Sequence, residues 1–296
     1  MADAFITLPT IREALSSMKE LIEGCVSSVS AEDPGLFGPA SVSWVICRNP
    51  AYAISALAGL LMAALNPVAM AAIDQHSDYR RDAWRRAHRT TDYVFTITFS
   101  GTAAALRAAE RVRMVHRQIS GTDPLTGRLY RADDEDLLLW VHSVNTEMAL
   151  AGHEAFAGKL SAADGDRYVA EQVRAAKLVG LPEERVPANR AQLAAQLALV
   201  ELRLSPPARE FADLLLKARM PWTMRGFWAL HVLGALMILP PHVRALYGFP
   251  TWLPNGRAAR AAVGLVLRLM DASYVIFPPI RRARRHLAEV RRSALA

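Results

Sequence analysis

The sequence predicts an all-α fold, built as a single helical domain with extra helices around its core. Three observations lead to this prediction. Apolar residues recur every three or four positions over most of the chain, Gly and Pro residues break the pattern between segments of helical length, and 52% of the 296 residues are hydrophobic. No unit of about 20 to 50 residues repeats, which excludes a solenoid.

The predicted helices begin and end at these breaks. The breaks are Asp33-Pro34-Gly35, Gly121 to Gly127, Gly180-Leu181-Pro182, Ser205-Pro206-Pro207, Pro240-Pro241 and Phe249-Pro250. Helices are predicted at residues 11–27, 51–73, 79–91, 102–119, 134–157, 162–179, 190–204, 207–219, 225–239 and 258–274, followed by a basic C-terminal helix.

Two segments leave an alternative open. Residues 51–73 carry no charge and are long enough to span a membrane core of about 30 Å. They are rich in Ala and Gly and contain Asn66-Pro67, which favours a buried core helix over a membrane span. Residues 93–99 alternate aromatic or aliphatic side chains with Val and Thr, as a strand does, but we predict a helix there.

Charge and cysteine content limit the partners and the compartment. The chain has 35 basic and 28 acidic residues, a net charge of +7, with no recognition motif beside the excess charge, so we expect no nucleic-acid partner. Cys25 and Cys47 are too few for a disulfide scaffold, and the N-terminal residues lack a basic segment before an apolar run. We therefore expect a cytoplasmic protein.

Several enzyme classes are excluded by missing motifs. The sequence contains no GxGxxG, GxxxxGK[ST], HExxH or GxSxG pattern, which excludes the common nucleotide-binding, zinc-protease and serine-hydrolase sites. No Glu is followed by a His three residues later, which argues against a di-iron helical bundle.

Histidines on apolar helix faces are the remaining chemical lead. His116 continues a stripe of Ala105, Ala109 and Val112 and therefore points inward. An inward histidine is either a hydrogen-bonded core residue or an axial ligand of a metal or haem. His142 shares a face with Leu138, Asn145 and Ala149, and core packing is its simplest explanation.

A polar pair lies upstream of these histidines. Arg86 and Thr90 are four residues apart, so a helix places them side by side on one face, which Tyr93 shares. A solvated face explains an arginine equally well.

The order of short motifs along the chain resembles a known family. These motifs are Asn66-Pro67-Val68, His76-Ser77-Asp78-Tyr79, Arg86-x-x-x-Thr90, His116-Arg-Gln-Ile-Ser-Gly121, Gly127-Arg-Leu-Tyr130-x-Ala132 and Asp136-Leu-Leu-Leu-Trp140-Val-His142. Together they resemble the MpaB and rubber oxygenase (latex clearing protein) catalytic domain. The resemblance covers residues 45–250, which leaves an N-terminal helix and linker at 1–44 and C-terminal helices at 251–296.

The resemblance implies a globin-like helical core around haem b, whose iron is held by a histidine, and oxidative cleavage of isoprenoid double bonds by dioxygen. The axial histidine falls on His116, with His142 as its rival. The Arg-x-x-x-Thr motif places Arg86 and Thr90 at the haem, as catalytic and cofactor-binding residues. The predicted function is a haem b-dependent oxygenase of a hydrophobic isoprenoid- or lipid-like substrate. The alternative is a haem- or lipid-binding protein that catalyses nothing.

Two departures from the family bear on the substrate. Rubber-cleaving members carry a lysine just before the motif threonine, where this chain has Arg89, a poor metal ligand. Met70 stands in the neighbourhood where those members have an acidic residue. Rubber is therefore not the expected substrate.

The basic C-terminal segment has two interpretations, a solvated helix or a peripheral contact with anionic lipid. Its arginines are Arg281, Arg282, Arg284, Arg285, Arg291 and Arg292.

Overall fold

The computed structural model describes residues 25, 29–30, 32–81, 83–218, 220, 222–250 and 256–276. Within these ranges the chain forms α1 (Val42–Cys47), α2 (Ala51–Ala63), α3 (Pro67–His76), α4 (Ala83–Phe99), α5 (Thr102–Arg117), β1 (Ser120–Thr122), β2 (Leu129–Arg131), α6 (Glu135–Phe156), α7 (Ala162–Leu178), α8 (Arg190–Ala198), α9 (Pro206–Leu216), α10 (Arg225–Ile238), α11 (Pro241–Tyr247) and α12 (Arg257–Ile276). Short 3-10 helices lie at Glu183–Arg185 and Trp222–Met224. The all-α prediction is confirmed. Apart from Cys25, the predicted helix at 11–27 lies outside the described residues, as does the C-terminal arginine segment.

The centre of the fold is the contact between α2 and α6. Gly152 of α6 lies so close to Ser55 that a methyl group on it would clash with the Ser55 hydroxyl. One turn further along α2, a methyl group on Gly59 would lie 3.0 Å from Asn145 Oδ1. The indole N–H of buried Trp140 donates to the Ala63 carbonyl at 3.1 Å. Small residues at the crossing therefore let the two helices approach closely.

The predicted helix at 51–73 is buried, as expected, but it is two helices and not one. α2 and α3 meet at an angle of 103°. Pro67 has no N–H to continue the helix, and Asn66 Oδ1 accepts hydrogen bonds from the N–H groups of Val68 and Ala69 at 3.0 Å each. The Asn-Pro pair therefore ends one helix and begins the next.

In the described ranges no single helix has the length and apolar character needed to cross a membrane. Two bent pairs pass that test by length and composition alone: α2 with α3, and α10 with α11, the latter bent by 119°.

Other boundaries differ from the prediction. Residues 93–99 are helical, as predicted, because α4 continues to Phe99, where Ile97 and Phe99 are buried. The helix predicted at 190–204 ends at Ala198, and the six-residue α1 and seven-residue α11 were not predicted.

A small antiparallel hairpin, also unpredicted, follows α5, and in it Gly121 pairs with Tyr130. Gly127 adopts the left-handed φ of +73° in its turn.

Candidate functional site

The candidate site lies on the helical hairpin formed by α4 and α5. Only Ser100 and Gly101 connect these two helices, which pack against each other. Arg86 lies about 20 Å from that connection along α4, and His116 lies at a similar distance along α5, at 1.5 Å per residue. The two predicted residues therefore occupy the same end of the hairpin.

The histidine stripe on α5 is present as predicted. Ala105 and Ala109 are buried, and Val112, His116 and Ile119 are half-buried. The arginines of this segment lie on other faces and are exposed: Arg107, Arg111, Arg113 and Arg117. His116 thus belongs to the inward face of its helix.

His116 is a neutral imidazole without a hydrogen-bond partner in the described part of the chain. Its Nδ1 is buried and makes no hydrogen bond there. Burial lowers the pKa of His116, although the carboxylate of Asp133 opposes the effect. At neutral pH the ring is therefore an uncharged base, the form in which histidine binds a metal.

His142, the rival ligand, lies on α6. Burial lowers its pKa to about 4. The residue is half-buried, while Leu138 and Ala149 on the same face are buried. No hydrogen bond joins His142 to Arg86, Thr90 or His116 among the described residues.

Arg86 is a half-buried cation. One guanidinium nitrogen, Nη1, donates to Ser77 Oγ at 2.7 Å, and no described carboxylate pairs with it. Burial, together with the nearby charge of Arg89, lowers the pKa of Arg86. Since a desolvated charge is unfavourable without a counter-charge, this environment favours an anionic group beside Arg86.

Thr90 lies one turn further along α4 and is exposed. Its hydroxyl donates to the Arg86 carbonyl at 3.2 Å, so the two motif residues are adjacent as the sequence predicted.

Tyr93 completes this face and has a property that the sequence did not indicate. Its hydroxyl is buried and finds no hydrogen-bond partner in the described ranges. Burial raises the pKa of Tyr93 to about 12, against an opposing effect of Arg113. The spacing of Arg86, Thr90 and Tyr93 predicted a shared face, but an unpaired hydroxyl depends on neighbours from other helices.

The motifs around His76 and Tyr130 hold the structure together. The Gln75 side-chain amide donates to the Thr122 carbonyl at 2.8 Å, and the Tyr130 hydroxyl donates to Gln75 Oε1 at 2.9 Å. His76 Nε2 lies 3.0 Å from the Ser120 carbonyl oxygen. These contacts fix the β-hairpin to the end of α3, next to Ser77, which contacts Arg86.

No cluster of three or more His, Cys, Asp or Glu side chains that could hold a bare metal ion occurs within the described residues.

Comparison with known proteins identifies a family. Residues 44–272 match the family model described as ER-bound oxygenase mpaB/B′/rubber oxygenase, catalytic domain. No curated protein and no solved structure matches the chain. The matched range covers most of the 296 residues and contains Arg86, Thr90, His116 and His142. The chain therefore belongs to the mpaB/rubber oxygenase catalytic-domain family, a family of oxygenases.

Proposed function

We propose that this protein is a haem b-dependent oxygenase acting on a hydrophobic, unsaturated isoprenoid- or lipid-like substrate, with His116 as the axial ligand of the iron. The observation that carries the proposal is the state of His116. It is inward-facing and uncharged at neutral pH, and its Nδ1 is buried without a partner among the described residues.

The residues present fit haem b. Haem iron is already bound by its porphyrin, so the protein would need to add one neutral histidine, here His116, and no metal-binding cluster. The propionate groups of haem b are carboxylates, and Arg86 is a half-buried guanidinium that pairs with no described carboxylate. His116 would hold the iron, and Arg86 would pair with a propionate.

The bound haem would supply the redox chemistry with dioxygen, which no side chain of this site can supply. The protein's own residues position the reactants. Ser77 fixes the Arg86 guanidinium by accepting its hydrogen bond, and the hydroxyls of Thr90 and Tyr93 are polar groups on the same helix face. Met70 is buried on α3 and offers no acid group. The proposed substrate is therefore not rubber, and it reacts without a carboxylate at that position.

The test is an absorption spectrum and a pyridine haemochrome assay on the purified protein, before and after reconstitution with haem. We expect near-stoichiometric haem b, and we expect the His116→Ala variant to lose it. His242→Ala is the matched control because His242 is an exposed histidine of α11, and its haem content should be unchanged. Circular dichroism of each variant reports whether the helices are retained.

Two further variants assign the ligand. His116→Gly should regain the haem spectrum when free imidazole is added, because imidazole replaces the missing ring. If His142→Ala loses haem while His116→Ala keeps it, the ligand is His142 and the assignment to His116 is wrong. A protein that binds no haem after reconstitution would contradict the whole proposal.

The alternative function, haem or lipid binding without turnover, is favoured by one feature. Arg89 is exposed where rubber-cleaving relatives are expected to have a lysine. Oxygen consumption by the haem-loaded protein, measured with a series of isoprenoids and unsaturated fatty acids, distinguishes the two. Haem loading with no oxygen uptake for any of them would favour the binding protein.

A further inference from the structure

A small pocket lies apart from the residues of the proposed haem site. It opens where α1 ends, α2 begins and α6 ends, and its volume is about 270 Å³. Five residues line it: Val45, Arg48, Asn49, His153 and Ala157. None of them has a role in the proposed oxygenase, so an inference about this pocket stands independently of that function.

His153 is the most deeply placed of these residues. It is 9% exposed, and its Nδ1 is fully enclosed without a hydrogen-bond partner in the described structure. A neutral imidazole carries one N–H. If that proton were on the enclosed nitrogen, the N–H would be buried without an acceptor, which is unfavourable. The proton therefore resides on Nε2, which makes the ring a hydrogen-bond donor on its open side.

The side-chain NH₂ group of Asn49 is also unpaired among the described residues. Its Oδ1 accepts a hydrogen bond from the Ala51 N–H at 2.9 Å, at the start of α2. The side-chain NH₂ group makes no hydrogen bond to another described residue. Because the oxygen already accepts from the Ala51 N–H, the group that Asn49 has left unpaired is its donor.

Arg48 sets the charge of the pocket. Its guanidinium is exposed and pairs with no carboxylate of the described chain. The Glu154 carboxylate acts on His153 and raises its pKa, opposing burial, but it also forms an ion pair with Arg190. The Arg48 charge has no such partner among the described residues.

The helix ends at the pocket do not change this sign. The ends of α1 and α6 carry negative partial charges of about half an elementary charge each and the start of α2 carries a positive one, so their sum is negative but smaller than the full charge of Arg48. The His153 carbonyl at the end of α6 already accepts from the N–H groups of Ala157 at 2.8 Å and Gly158 at 3.1 Å. The pocket thus presents three donor groups and a net positive charge.

We propose that this pocket binds a small carboxylate, whose oxygens accept hydrogen bonds from Arg48, the Asn49 amide and His153 Nε2. Val45 and Ala157 add an apolar wall, and the volume accommodates a short hydrocarbon chain beside the carboxylate. A short-chain organic acid fits this combination better than inorganic phosphate, which has no apolar part.

The experiment is an NMR titration of the full chain with propionate, and separately with inorganic phosphate and with chloride, at constant ionic strength. The His153 imidazole and the Arg48 side-chain N–H resonances are followed. We expect saturable shifts of both with propionate, weaker binding of phosphate and no saturation with chloride. No saturable shift with propionate, or tighter binding of phosphate than of propionate, would overturn the proposal.

Two variants test the named donors. Arg48→Gln should weaken propionate binding by about tenfold or more, the effect of losing one charge-assisted contact. Asn49→Asp keeps the acceptor for the Ala51 N–H but replaces the donor with a negative charge, so it should abolish binding. The control is Arg111→Gln, the same charge change on the exposed face of α5. If it weakens binding as much as Arg48→Gln, the attraction is general and not that of this pocket.

Discussion

Glu171 shows how one buried carboxylate organises two helices. It lies on α7, is 8% exposed, and accepts hydrogen bonds from the N–H groups of Val42 at 3.2 Å and Ser43 at 2.8 Å. The Ser43 hydroxyl also donates to it at 2.8 Å, and Arg167 pairs with it at 3.1 Å. The first N–H groups of α1, which lack partners within their own helix, are thereby satisfied by a residue of another helix.

Replacing Glu171 should therefore destabilise the fold more than replacing a surface acid. Glu171→Gln keeps the shape but loses the charge-assisted bonds, and we expect the free energy of unfolding to fall by about 1.5–3 kcal/mol. Glu171→Ala should cost more, because it leaves buried donors unpaired. Urea denaturation measures both.

The control for Glu171 is Glu201→Gln. Glu201 is exposed and, among the described residues, pairs with Arg203 alone, so its replacement should change stability by less than about 1 kcal/mol. Equal losses at the two positions would contradict the role given to Glu171.

At the residue scale the sequence predicted which way a side chain faces on its helix, but not which side chains of other helices it contacts. The helical period placed His116 inward and Arg86 beside Thr90, because those relations lie within one helix. The absence of a partner for His116 Nδ1 depends on other helices. Glu171 and Ser43 are 128 residues apart, so no local pattern indicates their contact.

The contact between α2 and α6 is the element-scale feature with the sharpest test. Gly152→Ala should lower the free energy of unfolding by about 1–3 kcal/mol, because its methyl group would clash with the Ser55 hydroxyl and push the helices apart. Ser55→Ala in the same chain should restore part of the loss. After the hydroxyl, the nearest atoms are Ser55 Cβ at 3.2 Å and the Ala51 carbonyl oxygen at 3.5 Å.

A second glycine serves as the matched control. Gly226 of α10 has open space where a methyl group would be, so Gly226→Ala should be neutral or stabilise the protein by up to about 1 kcal/mol through helix propensity. Thermal or urea unfolding compares the variants. The close-packing explanation is wrong if Gly152→Ala is as stable as Gly226→Ala.

Helices were predicted correctly where their apolar period extends over several turns. The longer helices have several turns of apolar period, whereas α1 has six residues and each hairpin strand has three, too few for a period to be recognised. The Asn66-Pro67 pair that causes the bend between α2 and α3 is visible in the sequence. The absence of charged residues across it concealed the break, since both helices are largely buried and need no charged boundary between them.

At the scale of the whole molecule, the family and the fold class could be predicted from the sequence, and the ionisation of the interior could not. Motif order predicted the family that the match over residues 44–272 confirms. Among the described residues, burial lowers the pKa of four histidines on three helices: His116 on α5, His142 and His153 on α6, and His231 on α10. The helical period indicated an apolar face for the first two, whereas the burial of the other two arises only when the helices assemble.

These buried histidines should make the protein sensitive to mild acid. His142 has a pKa of about 4 in the folded protein and about 6.5 when unfolded, so between these values the unfolded state binds a proton that the folded state does not. Stability therefore rises with pH across this window and is lost as the pH falls through it. His142 alone accounts for about 2–3 kcal/mol of that loss by pH 4, at 1.36 kcal/mol per unit of pKa.

The measurement is urea denaturation of the protein, without added haem, between pH 7 and pH 4. The His142→Gln variant removes one titrating group, so its stability should fall less steeply with acid than that of the unchanged protein. His242→Gln, at an exposed position, should leave the slope as it is. If the slopes for His142→Gln and the unchanged protein are parallel, His142 is not held neutral by burial.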